Sequence, residues 1–599
     1  MPFDRRIISR RDLLRSMAAL AGAGAVAPLG IGRARAQMPD LPTGFGRGRS
    51  VAIIGAGVAG LTAGWKLANA GFAVTIYEGD SRYGGRSLTA RPVRKEYRDW
   101  WFDKYNPHRL FPEMYVSQYH ETGQTPVPQT QVCEFDDPEW HPGNGDPTEL
   151  WLNAGPGRIP SDHVALIDLC MQIGVALEPY IFQSNYNLLQ SQTFHHGKPI
   201  AYNEVNYSLK AQVAEMLAQQ VLTEPDSAHR KQVLNMLQQF GDLDSDGKYA
   251  SAKGSSRVGY VDGDFPGGWR TPGKLNDIVH LDETLDSSFV GEGNPELGSG
   301  SYLFNFDNID WQSSLMQPVG GMDRVWQRLL VQTVQASSLR LRPKDPRSAE
   351  LGRRESRRVG DLVLLNHQVT GVYDDPENNR IHIDLAYRDP VTGEAGKYRD
   401  SADFCFSTMA PNLLATLPSS LDAEFKSWLG QVEQTPAIKV GWQARSRFWQ
   451  SENHIYGGIS WTTDMIGQIW YPSEDFNAHT GVLTGAYNRG PVAEEFGKLN
   501  LEQRLAAALK GGEKLHPDLA NKVYAKRGLT IAWQYMPFQV GGWASDTAGT
   551  QPAVYEHITD LPRGRLFLAG DSWSYLPGWQ EGAITSAYAA IKSLQERHG

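Results

Sequence analysis

Three glycines, Gly55, Gly57 and Gly60, fall in the order Gly-x-Gly-x-x-Gly, and an acid, Glu78, follows Gly60 by eighteen residues. That pattern suits a dinucleotide. Gly55 allows a tight turn, Gly57 lets the backbone approach a pyrophosphate, and Gly60 permits close packing of a helix on a strand. Ala59 belongs to the same turn, and Glu78 is placed to accept hydrogen bonds from ribose hydroxyls. Near the C-terminus Gly570 and Asp571 form a second glycine–acid pair. Two cations add a different chemistry. Arg158 follows Gly155-Pro156-Gly157 and precedes Ile159-Pro160, and its guanidinium can grip a planar carboxylate in a bidentate fork. Lys439 stands in an apolar stretch, where a lysine needs a reason.

A phosphate turn needs a strand to end at it and a helix to begin from it. Ser50–Ile54 reads as that strand, Leu61–Ala70 as the helix and Ala73–Tyr77 as the next strand. The helix start offers unpaired N–H groups and a positive dipole to phosphates. Leu566–Ala569 reads as another strand running into Gly570-Asp571, with a helix beginning near Trp579. Val363–Val372 reads as a strand, and Val164–Ile173 as a helix closed by Gly174.

The chain has 599 residues, 41% hydrophobic and 21% charged, which gives a globular protein of several domains. Acidic residues outnumber basic ones by 67 to 58, a formal net charge of -9 that disfavours nucleic-acid binding. Three scattered cysteines, Cys133, Cys170 and Cys405, build neither a zinc cluster nor a disulfide framework, and no metal is expected. The 17 Trp, 24 Tyr and 21 Phe residues point to a use for large flat side chains. Residues 1–36 read as an export signal. They hold Arg10-Arg11, a short apolar run Met17–Ala27, and Ala34-Arg35-Ala36 before Gln37. The twin arginines predict Tat export to the periplasm or outside the cell. The apolar run is too short to span a bilayer, so no stable membrane insertion is expected.

Gly84-Gly85-Arg86, six residues past Glu78, resembles the extension of FAD-binding two-dinucleotide-fold proteins. The remaining segments carry the resemblance further. They are Ala154–His163, Gly320-Gly321-Met322-Asp323, the strand around Lys439 that leads to Trp449, Trp470-Tyr471-Pro472, and Pro577-Gly578-Trp579. Together they resemble the flavin amine oxidase family, and within it the L-amino-acid oxidases. The resemblance implies an α/β plus α+β fold: a discontinuous, Rossmann-like FAD domain, a mixed-sheet substrate domain and a helical insertion. The implied FAD domain takes residues 49–90, 316–432 and 560–599. The substrate domain takes 141–198 and 433–559, the helical and loop insertion 199–315, and a stretch unusual for the family 91–140.

The same resemblance assigns roles to residues. FAD would meet Gly55, Gly57, Ala59, Gly60, Glu78, Gly85, Arg86, Val369, Trp533, Gly570 and Asp571, with Trp533 also walling the cavity. It would be held non-covalently, because residues 572–579 contain no cysteine. Arg158 and Tyr471 would bind the substrate carboxylate, the Gly578 carbonyl would accept from the amine, and Trp579 would wall one face. Lys439 would hold a water beside flavin N5 and serve the oxygen reaction. The implied activity is oxidative deamination of an L-α-amino acid to the 2-oxo acid, ammonia and peroxide, by hydride transfer from Cα to N5 and reoxidation by O2. The implied partners are the amino acid, O2, the Tat machinery and a second copy in a homodimer.

The resemblance does not cover residues 87–150, which include Trp100 and Trp101, and covers 200–310 loosely. Three other readings stay open. An amine or polyamine oxidase would share the FAD frame without a carboxylate clamp. An amino-acid 2-monooxygenase would share Arg158 and differ in product. An exported FAD-binding protein would not turn over at all.

Overall fold

The computed structural model describes residues 41–91, 118–120, 127–129, 131–135, 150–249, 279–286, 289, 303–304, 311, 313–335, 356–389, 393–476, 478–545, 547–559 and 563–598. The export signal, most of 91–140 with Trp100 and Trp101, and parts of 199–315 lie outside the described residues.

Val51–Ile54 is a continuous apolar run and Val74–Tyr77 is one but for the buried Thr75, the pattern of strands buried on both faces. They sit inside a five-stranded parallel sheet ordered Val363–Leu364, Ala73–Tyr77, Ser50–Ile54, Phe404–Ser407, Leu566–Leu568. Alternation along each strand serves two cores. Val51, Ile53, Val74 and Ile76 pack under the helices Val58–Asn69 and Gln580–His598. Ala52, Ile54 and Leu566 face an antiparallel sheet of His367–Asp375, Arg380–Arg388 and Ala395–Ala402, which contributes Ile381, Ile383 and Leu385. The segment Val363–Val372 differs from a single strand. It breaks at Asn366, whose φ of 58 is the left-handed conformation asparagine tolerates, so Val363–Leu364 joins the parallel sheet and Val369 the antiparallel one.

A seven-stranded mixed sheet forms the other half, in the order Ile200–Ala201, Leu188–Gln190, Gly458–Thr462, Gln468–Tyr471, Val482–Arg489, Ala437–Gln443, Leu529–Ala532. One face packs on helices Gly490–Gly497 and Leu501–Gly512 through Ile438, Val440, Tyr471 and Ala486. The other face turns toward the parallel sheet and the cavity between them. A small sheet of Ile159–Pro160, Leu315–Pro318 and Leu177–Pro179 closes one side. Helices Tyr202–Leu222 and Ala228–Gly241 pack together through Ala214, Ala218 and Leu237. Among the described residues, no helix is long and apolar enough to cross a membrane.

Candidate active site

Between the two sheets runs a cavity of about 620 Å³. Its lining draws on segments far apart in the chain. Gly55, Gly57, Ala59, Glu78, Gly85, Arg86, Val369, Gly570 and Asp571 line it, and so do Arg158, Lys439, Trp533, Gly578 and Trp579. Gly60 and Tyr471 are not among the lining residues.

The nucleotide-like end begins where Ile54 leaves the sheet. A Cβ on Gly57 would meet nothing within 4 Å, so this wall is open to a ligand. A Cβ on Gly60 would run into the Gly55 carbonyl oxygen, so its role is close packing of helix on turn. Helix Val58–Asn69 starts after its cap residue Gly57, earlier than Leu61, and this start aims its first N–H groups at the cavity. Glu78 Oε2 accepts from the Ala56 amide at 2.8 Å and Oε1 from the Asp80 amide at 2.9 Å. Burial, and then the neighbouring Asp80 carboxylate, push its pKa up to about 7 against those two hydrogen bonds.

Arg86 joins this end to the other. It pairs with Asp571 Oδ1 and donates to the Gly542 carbonyl at 3.3 Å, while Asp571 Oδ2 accepts from the Gly578 amide at 2.8 Å. One carboxylate thus fixes both the Gly84–Arg86 turn and the loop that carries Gly578 and Trp579.

At the far end Arg158 is boxed by rings. Its guanidinium carbon lies 4.2 Å from the Trp311 ring centroid, 4.8 Å from Trp470, 4.9 Å from Phe182 and 5.9 Å from Tyr180. Its Nε and Nη1 are buried with no hydrogen-bond partner among the described residues. Trp311 also leans on Trp579, with centroids 5.7 Å apart. Lys439 Nζ donates to the carbonyls of Asn153 (3.0 Å) and Gly155 (2.5 Å) and lies 4.4 Å from the Trp470 ring centroid. Burial, and then the charge of Arg158, hold its pKa well below the ordinary lysine range. Trp533 lines the cavity and donates its indole N–H to the Ala154 carbonyl at 2.9 Å.

Tyr471 departs from the expected carboxylate site. Trp470 faces the cavity, so the next residue on the strand points to the opposite face. There the Tyr471 hydroxyl lies 2.8 Å from Ser460 Oγ and 2.6 Å from His516 Nε2, deep in the helix-covered core. The Gly320–Asp323 turn is likewise not in the lining. Its Asp323 pairs with Arg91, and its Met322 carbonyl accepts from Gln580 at 3.3 Å. Sequence reasoning missed Trp311, Phe182, Tyr180 and Tyr487. Trp311 lies in the helical and loop insertion, 199–315, with no motif around it. Tyr487 is the register partner of Lys439, which only the strand pairing reveals.

These residues fit FAD. Gly57 leaves the space a pyrophosphate needs, Glu78 lines the nucleotide end, and the cavity continues unbroken to Trp579. None of Cys133, Cys170 or Cys405 lines it, so the described cysteines offer no thiol for a covalent flavin bond. Among the described residues no group of His, Cys, Asp and Glu is arranged to hold a metal.

Comparison with known proteins agrees with this geometry. The family model described as flavin containing amine oxidoreductase matches residues 58–590. The chain is 21% identical to an L-amino-acid oxidase of Bungarus fasciatus, over 91% of this chain and 86% of that one. It is 22% identical to a flavin-dependent L-tryptophan oxidase of Lentzea aerocolonigenes, over 92% of this chain and 99% of that one. Among solved structures, a single-substitution variant of putrescine oxidase superposes with a TM-score of 0.51 at 17% identity, over 92% of this chain and 99% of that one, which shows a shared fold.

Proposed function

Because the chain belongs to the flavin-containing amine oxidoreductases, we propose that it oxidises L-α-amino acids with FAD, yielding the 2-oxo acid, ammonia and hydrogen peroxide. Arg158 carries this reading. Its guanidinium lies in the cofactor cavity, walled by four aromatic rings, with two buried nitrogens lacking an acceptor among the described residues. A cation left in that state is costly, and a substrate carboxylate supplies the missing acceptors as a bidentate pair. A simple amine leaves the cost in place.

FAD, held along Gly57, Glu78, Arg86 and Asp571, would supply the two-electron chemistry between substrate and dioxygen. The chain's own share is orientation. Arg158 takes the carboxylate, the Gly578 carbonyl takes the amine, and Trp579 walls the substrate between them. We assign Lys439, the buried amine of the cavity, to the water and dioxygen side of the reaction.

Peroxide release from the FAD-loaded protein, across the twenty amino acids and a set of mono- and diamines, tests the reading. Turnover of L-amino acids is expected, and turnover of amines alone overturns it. A 2-oxo acid rather than an amide among the products separates oxidase from monooxygenase. Arg158→Met should raise KM for the amino acid by about thirtyfold or more, the usual cost of removing one partner of a buried charged pair. An unchanged KM removes Arg158 from the site.

A further inference from the structure

Arg158 sits in the middle of a strap, residues 153–166, that is pinned at both ends. Upstream, three consecutive carbonyls are taken: Asn153 and Gly155 by Lys439, and Ala154 by Trp533. Just past Arg158, Ile159 and Pro160 pair with Met316 and Leu315. The strap then enters helix Val164–Ile173, whose start lacks the usual local devices. His163 occupies the cap position without a side-chain cap bond, and no acid stands in the first turn. The free amides are met from elsewhere. Glu581 Oε1 accepts from the Ala165 amide at 3.1 Å and Oε2 from the Leu166 amide at 2.7 Å.

Glu581 belongs to the first turn of helix Gln580–His598 and stands two residues beyond Trp579. The same turn touches the strap a second time. The His163 ring meets Trp579 edge-on, with centroids 4.9 Å apart and planes at 85°. Burial pushes the His163 pKa down to about 4, so a neutral ring packs there. The carboxylate clamp and the amine-side wall are therefore registered against each other through one side chain and one ring contact. Glu581 itself is absent from the cavity lining.

We propose that Glu581 is a positioning residue for the reaction: by capping the helix that follows Arg158 from the turn that carries Trp579, it sets the separation between the groups that hold the two ends of the substrate. The proposal rests on Arg158 as the carboxylate clamp. Its physical basis is a charge-assisted cap, which supplies acceptors to two orphan amides and places negative charge at a positive helix end. Losing it lets the helix start drift relative to Trp579, and orientation suffers even from small displacements.

Glu581→Gln tests this in the FAD-loaded full chain. Glutamine keeps the shape but turns one acceptor into a donor facing an amide. KM for the amino acid, and the Kd of benzoate read from the flavin spectrum, should each rise about tenfold. In an Arg158→Met background the same change should add nothing to either value, a non-additivity that a merely structural role does not produce. Unchanged KM and benzoate affinity, with only a lower Tm, overturn the proposal. If Arg158→Met raises KM and Glu581→Gln does not, the positioning role falls and the clamp stands. If Arg158→Met itself leaves both values unchanged, the clamp falls and the proposal with it. Should Glu581→Gln fail to retain FAD, His163→Ala probes the same coupling through the ring contact. A rise in both values supports the proposal and unchanged values overturn it.

Discussion

Trp470 and Tyr471 are chain neighbours with opposite surroundings, and the difference is one of strand parity. Residue type alone favours the tyrosine as a partner for a carboxylate, since it carries a hydroxyl. The pleat assigns the cavity to the tryptophan and sends the hydroxyl to Ser460 and His516. Burial pushes the His516 pKa down to about 3, so a neutral imidazole faces the phenol through Nε2. Tyr471→Phe should therefore leave KM for the amino acid within about twofold. It should cost about 1–3 kcal/mol of stability, because it strands a buried imidazole nitrogen. Steady-state kinetics and denaturant unfolding of the same preparation check both halves, and a large KM increase returns Tyr471 to the substrate site. Arg158 and Lys439 were legible at this scale because a charge in apolar or Gly-Pro surroundings is conspicuous by type. The face a strand residue takes depends on which neighbour it pairs with, and that pairing is non-local.

Elements were legible where the sequence carries both a period and punctuation. The strands Ser50–Ile54 and Ala73–Tyr77 and the helix Val164–Ile173 fall where apolar runs and Gly174 place them. The strand break at Asn366 was not legible, since its cause is the transfer of the chain from one sheet to another. The phosphate turn itself offers a sharper test, because its glycines serve different neighbours. Gly60 faces the Gly55 carbonyl, so Gly60→Ala must push helix from turn and should cost about 1–3 kcal/mol even without cofactor. Gly57 faces open cavity, so Gly57→Ala should change apo-protein stability by less than about 1 kcal/mol. Its methyl group instead occupies space meant for phosphates, and FAD affinity should fall about tenfold or more. Unfolding of the apo forms and FAD titration separate the two. Equal effects of both substitutions on both measurements contradict the division of labour.

At the scale of the whole molecule the cavity is where distant segments meet, and composition hinted at it without locating it. The aromatic excess resolves in part into Trp311, Trp470, Trp533 and Trp579, which stand in one wall system although they are spread over 269 residues of chain. Trp311 shows why sequence stops short here: nothing local marks it, and only the packing of Arg158 and Trp579 on either side gives it a place. The same discontinuity has a thermodynamic consequence. The FAD-lining residues come chiefly from the N-terminal strand–helix–strand unit with its Gly84–Arg86 turn, the strand containing Val369, and the Gly570–Asp571 turn. A direct ionic link between the first and last of these is Arg86 with Asp571. A ligand spanning all three binds only when they are assembled, so it favours the folded chain by mass action, about 2.7 kcal/mol when its concentration is a hundred times Kd. Deflavinated protein should therefore melt at a lower temperature than the holoenzyme, and Tm should climb with the logarithm of added FAD. Scanning calorimetry over an FAD series checks this. A Tm independent of FAD would mean that FAD does not bind the folded chain in preference to the unfolded one, which would contradict the cavity between these three segments as its site.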